Sequence, residues 1–185
     1  MGWAEALTYI ETISHLRTGA RTLSFLSARA AVQLKTDETA REAIGSRILL
    51  PASRVLAFAA RFHREGPLAA RFDAGRFIEA LLTFMERRRI VLVGVDTRRL
   101  EATRERLLQH APWHEYFIVR AVDLGDQIVR ASDVGIATLA PHVVVVDADD
   151  LEEEIRFEQA LSLRHEGLII MAGAAFGGRN LRRKQ

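Results

Sequence analysis

Four apolar residues in a row, Ile90-Val91-Leu92-Val93, three of them β-branched, mark a strand buried on both faces. The run stops at Gly94-Val95-Asp96, and Thr97 opens an amphipathic stretch, Arg98 to His110. Strand, glycine turn and helix in that order make the first half of a βαβ unit. The same alternation runs along the rest of the chain. Apolar residues at 3, 6, 7, 10, 13 and 16 predict a helix over Trp3–Leu16, ended by Gly19. Thr22–Leu26 reads as a first strand. Ser27 caps a helix over 28–34, and Asp37 caps another over 38–44, stopped by Gly45. A brief strand, Arg47–Leu50, leads through Pro51 and Ser53 into a helix over 54–63. Residues 64–67 form a loop and 68–73 are irregular. A strongly periodic helix covers 75–88, with Phe77, Ile78, Leu81, Leu82 and Met85 facing inward. Pro112 breaks the chain before a strand at 116–119, and 126–131 reads as helical. Four valines, 143–146, form another buried strand. A helix with an acidic first turn runs from Asp149 and Asp150 to Arg164, and Leu168–Met171 is the last strand. Strands and helices alternate throughout. The expected architecture is therefore α/β: a Rossmann-like, mostly parallel sheet with helices on both faces.

Composition adds bounds to this picture. Apolar residues make up 49% and charged residues 27%, a globular balance that excludes a disordered chain. The expectation is one α/β domain over 1–178 and a basic tail over 179–185. Without cysteines there is neither a disulfide framework nor a thiolate metal site. Met-Gly-Trp-Ala-Glu lacks the basic and apolar regions of a signal peptide, and no apolar run spans a bilayer, so the reading is cytoplasmic. Net charge is only +2, and the basic residues are nearly all arginine, Lys35 and Lys184 being the only lysines. Most arginines alternate with acids, as in Arg99 to Arg106, which makes solvated helix faces rather than a nucleic-acid footprint. Arg179, Arg182, Arg183 and Lys184 carry no interleaved acids. They suit peripheral contact with the anionic inner membrane, or simply a solvated terminus.

Ligands in open α/β sheets bind at the carboxyl ends of the strands, so chemistry is sought there. At Gly94-Val95-Asp96 the glycine admits a ligand or a neighbouring backbone. Asp96 suits a ribose hydroxyl pair, or else caps the following helix. The acidic run Asp147–Glu154 has the oxygen ligands for Mg²⁺, and equally the charges a helix N-terminus favours. Without a Walker A lysine beside it, no metal is expected. Gly173–Gly178 would let a sugar or phosphate approach the backbone, or form a mobile end. There is no G-x-G-x-x-G dinucleotide fingerprint, no zinc-type histidine spacing and no G-x-S-x-G elbow.

The order of segments from about Trp3 to Gly177 resembles the WecG/TagA/CpsF family of bacterial glycosyltransferases. Where the family's first strand ends in Thr-x-Asn, this chain has Phe25-Leu26-Ser27. Where the family's next strand presents an Asp-Gly pair, the Asp being its proposed catalytic base, Leu50-Pro51-Ala52-Ser53 stands with Ala52 or Ser53 in the acid's place. Arg71-Phe72-Asp73-Ala74-Gly75-Arg76 is similar to an Arg-x-x-Gly-x-Asp segment, with Arg71 kept. Val91 to Gly94 matches a strand ending in Gly-Gly, with Val95 as the second residue. Pro141 and Glu154 are retained from a Pro-Asp-strand-Gly-x-Pro-x-Gln-Glu block, and Leu168 to Gly178 matches a final strand with a glycine-rich turn. The family's C-terminal extension, thought to help close the site and to touch the membrane, has no counterpart before Gln185.

The resemblance implies transfer of an N-acetylmannosamine-type sugar from a UDP donor to a lipid-linked acceptor in surface-polysaccharide assembly. Together with the strand-end reading it gives Ser27, Ser53, Arg71, Gly94, Asp96, Glu154 and Gly173 as substrate-binding positions, with the catalytic residue unassigned. The expected ligand is a UDP-sugar or UDP, with no other cofactor. The expected protein partners are a second copy or a partner glycosyltransferase. With the acid gone, the expectation is a degenerate site in a binding or partner subunit. The alternative is an active, divergent transferase of N-acetylhexosamine-type sugars.

Overall fold

The computed structural model describes residues 1–16, 19–60, 70–121, 136, 138–163 and 165–173. In chain order the elements are α1 (Trp3–Ser14), β1 (Arg21–Leu26), α2 (Ala28–Thr36), α3 (Glu38–Ala43), β2 (Ile48–Pro51), α4 (Arg54–Ala60) and α5 (Ala74–Phe84). Then follow β3 (Arg89–Gly94), α6 (Thr97–His110), β4 (Glu115–Arg120), β5 (Val143–Asp147), α7 (Leu151–Ser162) and β6 (Leu168–Met171). The six strands form one sheet in the order β2-β1-β6-β5-β3-β4, and every pairing is parallel. The helical reading of 126–131 and the ends of the readings at 61–63 and 164 lie outside the described residues, as do the glycine turn beyond Gly173 and the basic tail.

Alternation along the strands sorts the core into two layers. Leu23, Ile90, Leu92, Val143, Val145, Leu168 and Ile170 point to the face covered by α1, α5 and α6, where they meet Ile10, Phe77, Leu81, Leu100 and Leu107. Val91, Val93, Val144, Val146, Ile169 and Met171 point the other way, against Phe157 and Leu161 of α7. Beside that layer α2 and α3 pack on α7 through Ala40, Ile44 and Leu151. A central strand with a helical layer on each side exposes neither face, which is why the sequence shows unbroken apolar runs at β3, β5 and β6.

Three helix ends differ from the periodicity. Helix α5 begins at Ala74, because Asp73 accepts from the Arg76 amide, and ends at Phe84. Met85 turns extended (ψ 147°) while its side chain stays buried, so the apolar pattern outlasts the helix. Helix α1 ends at Ser14 and α7 at Ser162, each short of the periodic stretch. Close approach fixes Gly167 before β6: a Cβ there would lie 2.8 Å from the His142 carbonyl oxygen. Among the described residues no helix is long and apolar enough to cross a membrane.

Candidate functional site

The carboxyl ends of all six strands face one edge of the molecule, as a wholly parallel sheet requires. The expected site residues fall into three groups there. Ser27, Ser53 and Arg71 gather around the ends of β1 and β2: the Ala52 amide donates to the Leu26 carbonyl (3.0 Å) and the Phe72 amide to that of Pro51 (2.8 Å). Gly94 and Asp96 lie at the end of β3, three strands from β1, or about 14 Å at ordinary strand spacing. Glu154 and Gly173 lie together between these groups. A Cβ on Gly173 would be 3.7 Å from Glu154 Oε1, and its φ of +55° favours glycine.

Most of the polar groups at this edge already have local work. Ser27 Oγ accepts from the Ala30 amide and caps α2, and Ser53 Oγ accepts from the Val55 amide. Asp96 caps α6, accepting from the Arg98 and Arg99 amides at 2.9 and 3.3 Å. Gly94 is closely packed: an added Cβ would meet Asp147 Cβ and carbonyl oxygen at 3.1 Å and Leu100 Cδ2 at 3.2 Å.

The sheet has a topological switch at β3 and β5. These neighbours are followed by helices on opposite faces, α6 on one and α7 on the other, which is the position where an open α/β sheet places its ligand crevice. Arg99, from the first turn of α6, spans it. Its Nη2 donates to Asp147 Oδ1 (2.6 Å) and its Nη1 to Asp149 Oδ1 (2.7 Å). The Asp147 side chain is 6% exposed and that of Asp149 65%. Burial pushes the Asp147 carboxyl up to about 6, against the pull of Arg99. Burial also opposes the charge on Arg99, but hydrogen bonds and charge from Asp149 and Asp147 outweigh it and hold the guanidinium above its ordinary value.

A second buried charge cluster lies under the end of β1. Arg47, whose side chain is fully buried, donates through Nε to Glu158 (2.6 Å) and through Nη1 to Glu154 (2.9 Å) and Ser24 Oγ (3.1 Å). Glu154, which the resemblance pointed to as a binding position, is thus turned inward onto an arginine. Burial pushes it up to about 7 despite that partner. A carboxyl raised in the folded state favours folding while protonated. That contribution is complete below the ordinary glutamate range and is lost as pH rises through about 7. Raising pH from about 5 to 8 should therefore shift the melting-temperature difference between the native chain and Glu154→Gln in the variant's favour. A difference that stays flat across thermal melts would contradict this.

Arg47, Ser24, Arg99 and the pairing of Asp147 were not visible in the sequence. The only local hint was an acid-x-acid run, Asp147-Ala148-Asp149, at the end of a strand. Among the described residues no three His, Asp or Glu side chains converge as a metal-binding group. An open hollow of about 480 Å³ lies elsewhere, between α1, α5 and α6, lined by Leu7, Arg76, Glu79, Ala80, Thr83, Phe84 and His110. It holds none of the expected site residues.

The family model described as Glycosyl transferase WecG/TagA/CpsF family matches residues 1–177 of the 185. The chain belongs to that family. Its membership carries a glycosyltransferase-like role in cell-surface polysaccharide biosynthesis, and the six-stranded parallel sheet is the scaffold for it. No curated protein matches the chain.

Proposed function

We propose that this WecG/TagA/CpsF-family chain binds a UDP-sugar or UDP at the carboxyl edge of its sheet and acts as a binding or partner subunit rather than as the transferring enzyme. One observation carries the reading: at the strand ends, Asp96 is bonded as a helix cap and Asp147 and Asp149 are paired with Arg99, while Ala52 and Ser53 follow β2. Sugar transfer to a hydroxyl needs a base within hydrogen-bond reach of it, and losing that base costs on the order of 10²–10⁴ in rate. Peripheral contact with the inner membrane and a second copy or partner transferase belong to the same proposal.

A specific observation favours a second reading, an active divergent transferase of N-acetylhexosamine-type sugars. Asp147 stands at the switch-point crevice with its carboxyl raised to about 6, within the range a general base uses. Calorimetry with UDP and UDP-N-acetylhexosamines, together with a turnover assay on a polyprenyl-linked acceptor, separates the two. Binding without turnover is the expected outcome. Turnover that Asp147→Asn abolishes would establish the second reading instead, and absence of nucleotide binding would remove both.

A further inference from the structure

The switch-point crevice is closed by the chain's own charges. Arg99 offers two guanidinium nitrogens to two separate carboxylate oxygens, the same fork with which an arginine takes two phosphoryl oxygens. Its third nitrogen, Nε, is buried and has no hydrogen-bond partner among the described residues, so its present partners leave one donor unmatched. The two bonds are unequal. Asp147 is nearly buried, whereas Asp149 is mostly in water, where an ion pair contributes little. The fork can therefore open from the Asp149 side while Asp147 keeps the arginine anchored.

We propose that Arg99 is the residue that takes the diphosphate of a bound nucleotide, and that Asp149 holds its open arm in reserve, occupying the place of a phosphoryl oxygen until ligand arrives, while Asp147 keeps the guanidinium in position. This rests on the nucleotide-binding reading above. One cation and two carboxylates leave the empty crevice with an excess negative charge, which opposes an incoming diphosphate. Neutralising one aspartate lowers that opposition, and removing the arginine takes away the cation the ligand would use.

The test is calorimetric titration of UDP, and of uridine as the phosphate-free control, into the native chain and four variants. These are Asp149→Asn, Asp147→Asn, Arg99→Lys and the double variant Arg99→Gln/Asp147→Asn, which leaves no unpaired buried carboxylate if the single Arg99→Gln fails to fold. Asp149→Asn should tighten UDP by at least about fivefold. Arg99→Lys, which keeps the charge and loses the fork, and the double variant should weaken it by about tenfold or more. Uridine should bind all of them alike. UDP bound by the native chain but absent from Asp149→Asn, or bound equally by every variant, overturns the inference and leaves the nucleotide reading standing. So does a parallel change in uridine binding, which would report the crevice's shape rather than its charge. UDP bound by Asp149→Asn and not by the native chain supports it. Binding of neither compound to any form overturns the inference and the nucleotide reading together.

Discussion

Arg47→Ala should lower the stability of this protein by about 3–5 kcal/mol, the range for stripping one partner from a buried ion pair. The side chain is fully buried and holds Glu154 and Glu158, each only 12% exposed, together with the Ser24 hydroxyl. Its removal leaves two buried carboxyls with no cation, each of which must take up a proton or remain as uncompensated charge. The loss comes from that uncompensated charge more than from the bond itself. A triple variant, Arg47→Leu with Glu154→Gln and Glu158→Gln, should therefore recover much of it. Urea unfolding of the native chain, the single and the triple variant reads both effects. A single variant within about 1 kcal/mol of the native chain would contradict the assignment of this cluster as buried charge.

The second large effect lies on the opposite face. Phe77 is fully buried, and its ring meets Trp3 at 5.3 Å, Phe72 at 5.4 Å and Phe25 at 5.8 Å between centroids. These contacts tie α1 and the segment before α5 to β1. Phe77→Ala removes a large apolar side chain and leaves a cavity that three rigid rings cannot collapse to fill. The expected cost is about 3–5 kcal/mol. For a chain of this size that lowers the melting temperature by roughly 6–20 °C. Phe77→Leu, which keeps most of the volume, should cost far less. Thermal melts of the two variants check the ordering, and equal losses would argue against a cavity as the cause.

Architecture was readable where burial imposes a period. The runs Ile90–Val93 and Val143–Val146 have no polar alternation because helices cover both sides of those strands, and together with the alternation of strands and helices that implied a parallel sheet. Caps were readable for the same local reason: Ser27, Asp37 and Asp150 bond to amides three residues on, so their signal lies within one turn. Asp96 held two meanings in the sequence, ribose ligand or cap, and its Oδ1 caps α6 by accepting from the Arg98 and Arg99 amides. The end of α5 was misread because Met85 remains buried after leaving the helix, so apolar spacing carried no stop signal. The charge clusters were unreadable in principle. Arg47 meets its glutamates across 107 and 111 residues, and Arg99 meets Asp147 across 48. No window of sequence contains such a pair. The resemblance to the family supplied Glu154 as a site position, but not the arginine toward which it turns.

The position of β6 has a consequence for how the molecule is made. Among the described strands this one comes last in sequence yet sits in the middle of the sheet, pairing with β1 on one side and β5 on the other. A nascent polypeptide that has emerged only as far as α7 holds two unjoined strand groups, β2-β1 and β5-β3-β4, each presenting a row of unsatisfied backbone amides and carbonyls. Those bare rows invite pairing with other chains until four residues, Leu168–Met171, slot between them. Synthesis thus passes through an aggregation-prone stage just before β6 emerges, and chaperone shelter matters most there.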